Sequence, residues 1–228
     1  MKRKRVIIAG SRGIVGRALT PKLATEFEVL ALDLALGHDL RDPKFVREWF
    51  AANPADGLVN LFAMVDHVAA GGQRPATRLM DITLDSLREY FETNVITLFS
   101  VCREFARVNK QGSIVNFSSV YGVTSPIPTL YDDGEKHLGY GISKASVVQL
   151  TRHLSTHWAP KIRVNCVVPG GIRHQQDDKF MRAYSERTPM GRMAEADEIT
   201  GLVRFLVAED SSYCTGGVYP VDGGWTAW

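Results

Sequence analysis

Two side chains four residues apart carry the clearest chemical potential in this chain: Tyr140 and Lys144, in Tyr140-Gly141-Ile142-Ser143-Lys144. On a helix that spacing places both on one face, a turn apart. A phenol ordinarily loses its proton near pH ~10, and a neighbouring ammonium favours the phenolate. Such a tyrosine can pass a proton to or from an alcohol or carbonyl oxygen near neutral pH. A surface tyrosine beside a solvated lysine has the same spacing, and on spacing alone that plainer reading is the better one. Tyr121 and Tyr131 compete for the proton-transfer role, but Ser125 and Glu135 stand four residues after them where a lysine is needed. Both remain candidates for the wall of a substrate pocket. His137 reads as a surface loop residue.

Short apolar runs alternating with helical patterns must position this pair. Strands are expected at Arg5–Ala9, Glu28–Asp33, Gly57–Ala63, Ser113–Ser118, Ile162–Val168 and Val218–Val221. Helices are expected at Val15–Thr25, Pro43–Ala52, Leu84–Val108, Gly139–Trp158 and Ala196–Ala208, with Asp42 capping before Pro43 and a capping-like Glu195 to Glu198 start. Continuous apolar strands separated by helices predict one α/β domain over 1–228, a doubly wound, Rossmann-like parallel sheet covered on both faces. Two irregular stretches, Val123–Leu138 and Gly170–Met193, follow strand C-termini closely, where open α/β sheets bind ligands.

The bulk properties set limits. The chain has 228 residues, 45% hydrophobic and 23% charged, with a net charge of +2. That balance, without an aromatic-interleaved basic patch, argues against a nucleic-acid partner. Cys102, Cys166 and Cys214 are far apart, form no metal-binding spacing and point to a reducing compartment, hence the cytoplasm. Met1-Lys2-Arg3-Lys4-Arg5 resembles the start of a secretion signal, but Val6-Ile7-Ile8-Ala9 is too short for its apolar core. No membrane span is expected, and no metal.

The first strand ends in Gly10-Ser11-Arg12-Gly13-Ile14-Val15-Gly16, which opens the first helix. Glycines there permit a tight turn and close backbone approach to a pyrophosphate, and the helix N-terminus offers free N–H groups. Asp33 closes the second strand at the distance expected of a carboxylate that accepts hydrogen bonds from an adenine ribose diol and repels a 2′-phosphate. That favours NAD, with NADP as the alternative. Arg12 weighs toward a phosphate, and Asp33 can also be read as a simple loop cap.

Together these residues resemble the short-chain dehydrogenase/reductase family over essentially the whole chain. The resemblance implies an enzyme in which Asn94, Ser119, Tyr140 and Lys144 act together. Tyr140 would be the acid/base, Lys144 would lower its pKa and hold the nicotinamide ribose, Ser119 would hold the substrate oxygen, and Asn94 would hold a water linking Lys144 to solvent. It implies cofactor contacts from Gly10 through Gly16, Asp33, Asp39-Leu40 at the adenine, Ala63, Tyr140, Lys144 and Pro169-Gly170-Gly171-Ile172, with Asp222-Gly223-Gly224 as the C-terminal signature. Plainer alternatives stand beside these: Ser118 as the real contact, and Asn94 as a satisfied core amide.

The chain also departs from the family pattern. Asn60-Leu61-Phe62-Ala63 replaces Asn-Asn-Ala-Gly, a helix between Asp33 and Asp39 is missing, and an insert precedes Tyr140. His174 stands near the place of a threonine. The insert and Ser118-Ser119-Val120-Tyr121-Gly122 look like bacterial dehydrogenases of surface-glycan and flagellin modification, including nonulosonic-acid pathways, and more distantly like 3-oxoacyl-carrier-protein reductases. An acidic sugar or sugar nucleotide is the expected substrate. Arg173 and His174 are candidate substrate contacts, and some of the arginines among Arg173, Arg182, Arg187 and Arg192, in a segment that also holds Lys179, would bind its anionic group, against the plainer reading of a solvated lid. A non-catalytic NAD-binding regulator and an epimerase holding NAD tightly are the other readings. Excess apolar surface on Leu84–Val108 and Gly139–Trp158 predicts a homodimer or homotetramer.

Overall fold

The computed structural model describes residues 3–65, 78–131 and 136–228. All six expected strands form: β1 (Arg5–Ala9), β2 (Glu28–Leu32), β3 (Gly57–Asn60), β4 (Gly112–Phe117), β5 (Ile162–Pro169) and β6 (Val218–Val221). They make one parallel sheet in the order β2-β1-β3-β4-β5-β6. Central strands are buried on both faces, which explains why they read as unbroken apolar runs.

Alternation along the strands splits the core in two. Ile7, Leu58, Ile114, Val164 and Cys166 pack on one face against α2 (Pro43–Ala52), α4 (Leu98–Val108) and α5 (Leu138–Trp158). Val6, Ile8, Val59, Val115 and Val167 pack on the other against α1 (Ile14–Leu23) and α7 (Thr200–Val207). Each fully buried Leu, Ile or Phe contributes about 1.5–3 kcal/mol. The chain leaves β1 for β2 on one side and returns to β3 on the other, so order reverses above β1 and β3. The crevice at that reversal is where such sheets hold ligands.

Local signals held at several ends. Asp42 caps α2 on the Lys44 N–H, with Pro43 in the first turn. The Glu195–Glu198 capping box is present, although it opens a short 3₁₀ turn, Ala196–Ile199, that leads into α7. Two expectations needed correction. The helix expected over Leu84–Val108 is α3 (Leu84–Phe91), a π-helical segment at Glu92–Thr97 and α4. Gly170–Met193 is not irregular throughout. It contains α6 (Asp178–Arg187), capped by Asp177, whose Phe180 and Tyr184 lie one turn apart on its inward face. That helix is rich in charge, which hid its apolar stripe. Of the insert, 132–135 lies outside the described residues. Its remainder includes a 3₁₀ turn, Pro128–Leu130, that buries Leu130. Among the described residues, no helix is long and apolar enough to cross a membrane.

Candidate active site

The first two turns of α5 are built to hold Tyr140 and Lys144. His137 caps the helix: its Nδ1 accepts from the Gly139 N–H at 3.0 Å, its ring stacks 4.7 Å from Tyr90, and its Nε2 lies 3.0 Å from Ser86 Oγ. This corrects the surface-loop expectation, because His137 is buried. A Cβ on Gly139 would come within 2.6 Å of the Tyr90 ring, so glycine is what lets the helix start this close. The Tyr140 N–H then bonds the His137 carbonyl at 3.0 Å.

Lys144 is buried, and its Nζ donates to the Phe117 carbonyl at the end of β4, 2.9 Å away. Burial pushes its ammonium down to about 8. Its Nζ stands 6.0 Å from the centroid of the Tyr140 ring. A second ammonium, Lys136 Nζ, lies nearer, at 4.5 Å.

The strand end opposite separates the two serines. Ser118 Oγ donates to the Lys144 backbone carbonyl at 2.7 Å and so ties β4 to α5. Gly122 permits this join, since a Cβ there would fall 2.3 Å from Ser118 Oγ and 2.7 Å from the Lys144 carbonyl carbon. Ser119 is buried and caps a 3₁₀ turn, accepting from the Tyr121 N–H at 3.2 Å. Its hydroxyl proton is thereby left for another acceptor, whereas the Ser118 proton is spent.

Asn94 sits in the π-helical segment, a local distortion common at functional sites. Its Oδ1 accepts from the Met64 N–H at 2.7 Å, and its Nδ2 donates to Ser143 Oγ at 2.9 Å. It therefore pins the chain after β3 to the helix between Tyr140 and Lys144. Farther down, Asn60 Nδ2 donates to Asn116 Oδ1, and Asn116 Nδ2 to Thr151 Oγ1, joining β3, β4 and α5 through buried polar groups.

The nucleotide end fits a bound dinucleotide. Gly10 has φ +89°, and a Cβ there would lie 2.6 Å from the Phe62 nitrogen; at Gly16 it would lie 2.3 Å from the Gly10 carbonyl oxygen. Only glycines close this cradle. Among the described residues, Ser11 Oγ has no protein partner although it is buried under the loop, a donor that a phosphate oxygen or water can satisfy. Gly13 caps α1, whose first residues Ile14 and Val15 lead out of the loop. Asp33 does cap a turn, through Ala35, but its other oxygen accepts from the Arg12 N–H at 2.8 Å. The carboxylate is thus built into the glycine loop and keeps lone pairs for a diol.

Asp39 is held by Arg41 at 2.9 Å, and the guanidinium keeps its carboxyl below the usual range, while Leu40 is buried. Ala63 is half-buried just past β3. After Pro169, the Gly170 N–H bonds the Val221 carbonyl, and a Cβ there would press the Asp222 backbone at 2.8 Å. The Gly171 N–H donates to Tyr184 Oη at 2.6 Å, and Ile172 bridges to Ala194.

Tyr131 donates to the Tyr121 hydroxyl at 2.7 Å. Burial raises both phenols, Tyr131 most, and Tyr140 and Tyr184 are close enough to raise Tyr131 further. Phe180 packs 5.8 Å from Tyr131, and Tyr184 stacks 4.1 Å from the Trp225 ring. Sequence reasoning missed Lys136, Phe180 and Tyr184. The four-residue spacing of Phe180 and Tyr184 was the available signal. Arg173 is spent on Glu195 at 2.7 Å and Arg192 on Glu198, while His174 is exposed, its N–H on Gln176.

A family profile described as Enoyl-(Acyl carrier protein) reductase matches residues 7–226. An uncharacterised short-chain type dehydrogenase/reductase of Sinorhizobium fredii is 31% identical over 96% of this chain and 43% of its own length, so the chain spans less than half of that relative. A galactitol 2-dehydrogenase (L-tagatose-forming) of Cereibacter sphaeroides is 30% identical over 78% of this chain and 70% of that one. A short-chain dehydrogenase of Leptospira borgpetersenii, solved with bound NAD+, superposes with a TM-score of 0.87 at 28% identity over 99% of this chain and 94% of that one. With the fold and the glycine loop in place, these matches show that the chain belongs to the short-chain dehydrogenase/reductase family.

Proposed function

We propose that the protein is an NAD(P)-dependent oxidoreductase interconverting a secondary alcohol and a ketone, with Tyr140 as the acid/base. The observation that carries this reading is the convergence of Tyr140, Lys144 and Ser119 at the end of β4, with a dinucleotide cradle at the end of β1 in the same sheet. When bound, a nicotinamide exchanges hydride at its C4 with the carbinol carbon. Tyr140 takes the hydroxyl proton in oxidation and returns it in reduction. Lys144 favours the phenolate by its charge and offers its ammonium to the nicotinamide ribose. Ser119 donates to the substrate oxygen as charge develops there. Asn94 holds the Met64 backbone and Ser143, keeping both walls of the site in register.

For the substrate, we favour a hydroxylated carbon chain or sugar, free or nucleotide-linked. The polyol relative supports this, as does the grouping of Tyr121, Tyr131 and Tyr184, whose apolar rings carry hydroxyl tips. The pairing of Arg173 and Arg192 with glutamates gives less support to an acidic sugar than the sequence did. Reduction of the ketone of a 3-oxoacyl thioester is the second reading; the description of the matching family profile supports it only in naming an acyl-carrier-protein substrate. A panel of polyols, keto sugars, sugar nucleotides and 3-oxoacyl thioesters, each with NAD(H) and NADP(H), separates them. Turnover confined to thioesters would overturn the sugar reading.

For the cofactor, Asp33 supports NAD. Asp33→Asn keeps the acceptor to Arg12 and removes the charge that repels a 2′-phosphate. With Arg12 alongside, the ratio of NADP to NAD affinity is expected to rise about tenfold or more, some 1.4 kcal/mol, in nicotinamide fluorescence titrations. An unchanged ratio would take the selecting role from Asp33. The homodimer is supported by Ile96, Phe99 and Ile142, apolar and 37–55% exposed on the helices beside the site. Light scattering at micromolar concentration should give twice the chain mass or a multiple of it, and a monomer would contradict this.

A further inference from the structure

We infer that Lys136 is a second cation working on Tyr140, held against the face of its ring to favour the phenolate. Its Nζ lies 4.5 Å from the ring centroid, nearer than Lys144 Nζ at 6.0 Å. An ammonium over an aromatic face is drawn to the ring's negative face, and the attraction grows when the ring carries a phenolate charge. Lys136 acts through Tyr140 and is a positioning residue. It rests on Tyr140 being the proton-transfer group.

The placement is built. Lys136 immediately precedes His137, whose ring is fixed by the Gly139 N–H, by Tyr90 and by Ser86. The Tyr140 N–H is bonded to the His137 carbonyl, so the backbone between the two partners is tied on both sides. The division of labour with Lys144 follows from burial. Lys144 is enclosed and pushed down to about 8, so its charge fades as the medium turns alkaline. Lys136 is only half-buried.

Among the described residues, Tyr131 lies close enough to Tyr140 to interact with it electrostatically, and Tyr121 and Tyr184 neighbour Tyr131. Tyr121 and Tyr131 come from the segment after β4 and Tyr184 from α6, and burial raises all three. Asp132, Asp133 and Glu135 precede Lys136 in the chain and lie outside the described residues. Among the described groups near the ring, the two lysines supply the positive charge.

The test needs no substrate. The ultraviolet phenolate signal of the full chain with NAD is titrated against pH for wild type and Tyr140→Phe, and their difference isolates Tyr140. The same difference is taken in Lys136→Met, Lys136→Gln and Lys136→Arg backgrounds. Loss of the charge in Met or Gln is expected to raise the Tyr140 midpoint by about half a unit to one unit, and Arg is expected to retain the wild-type midpoint. Met and Gln midpoints equal to that of wild type, or an Arg variant that shifts as far as Met, would overturn the inference. Turnover surviving in Tyr140→Phe would remove the acid/base reading, while the titration would still decide whether Lys136 tunes the phenol.

Discussion

Tyr140→Phe is expected to lower turnover about 10²–10⁴-fold, the usual worth of a positioned acid/base, while leaving cofactor affinity within about twofold of wild type. The ring and its neighbours survive the change, because Lys136, Lys144 and the His137 cap all engage parts of Tyr140 other than the hydroxyl. Stability should change by no more than about 1 kcal/mol, the worth of a hydrogen bond. Turnover is read as loss or gain of reduced nicotinamide with the substrate returned by the panel, and affinity by nicotinamide fluorescence. Loss of both activity and binding would mean that the phenol serves the cofactor pocket. Loss of activity alone assigns it to the proton.

Lys144→Met is expected to remove activity and yet raise stability. The buried ammonium has fallen from the ordinary 10.5 to about 8 because burial disfavours its charge. At about 1.4 kcal/mol per unit, holding that charge costs the fold roughly 3 kcal/mol. The cost is present in full below pH 8, where folded and unfolded chains are both protonated. It disappears as the pH rises through 10.5, where neither is. Methionine has similar length and no charge, but leaves the buried Phe117 carbonyl without its donor, a loss of about 1–3 kcal/mol. The net gain at pH 7 is therefore up to about 2 kcal/mol, a few degrees in Tm for a chain of this size. It should shrink toward zero or reverse by pH 10. A variant less stable than wild type at pH 7, with a pH-independent deficit, would show that Lys144 contributes more through contacts than it costs through charge.

Strand placement was legible because central strands buried on both faces must be continuously apolar, as Val6–Ala9 and Ile114–Val115 are. The glycine loop was legible because no other residue fits at Gly10 and Gly16. The interruption at Glu92–Thr97 was not, because its side-chain spacing is that of any apolar helix. What distinguishes it is the inward turn of Asn94 toward the Met64 backbone, a contact between distant segments. His137 was misread for a related reason. A histidine beside charged and flexible-looking residues suggests solvent, but its cap on Gly139 and its stack on Tyr90 depend on α3 lying alongside. The choice between Ser118 and Ser119 also waited for tertiary structure, because it turns on which hydroxyl the Lys144 carbonyl takes. The anion-binding role expected for Arg173 weakened once Glu195 appeared as its partner. Charge in a sequence does not reveal which charges are already paired.

Direct transfer from cofactor to carbon is the centre of this account, and isotope labelling tests it most simply. Wild-type protein is given reduced nicotinamide cofactor deuterated at C4 and the ketone that the panel identifies, and the product is analysed by mass spectrometry and NMR. Deuterium is expected on the new carbinol carbon in wild type and almost none in Tyr140→Phe over the same interval. Product without deuterium from either cofactor face, or equal labelling by Tyr140→Phe, would contradict it.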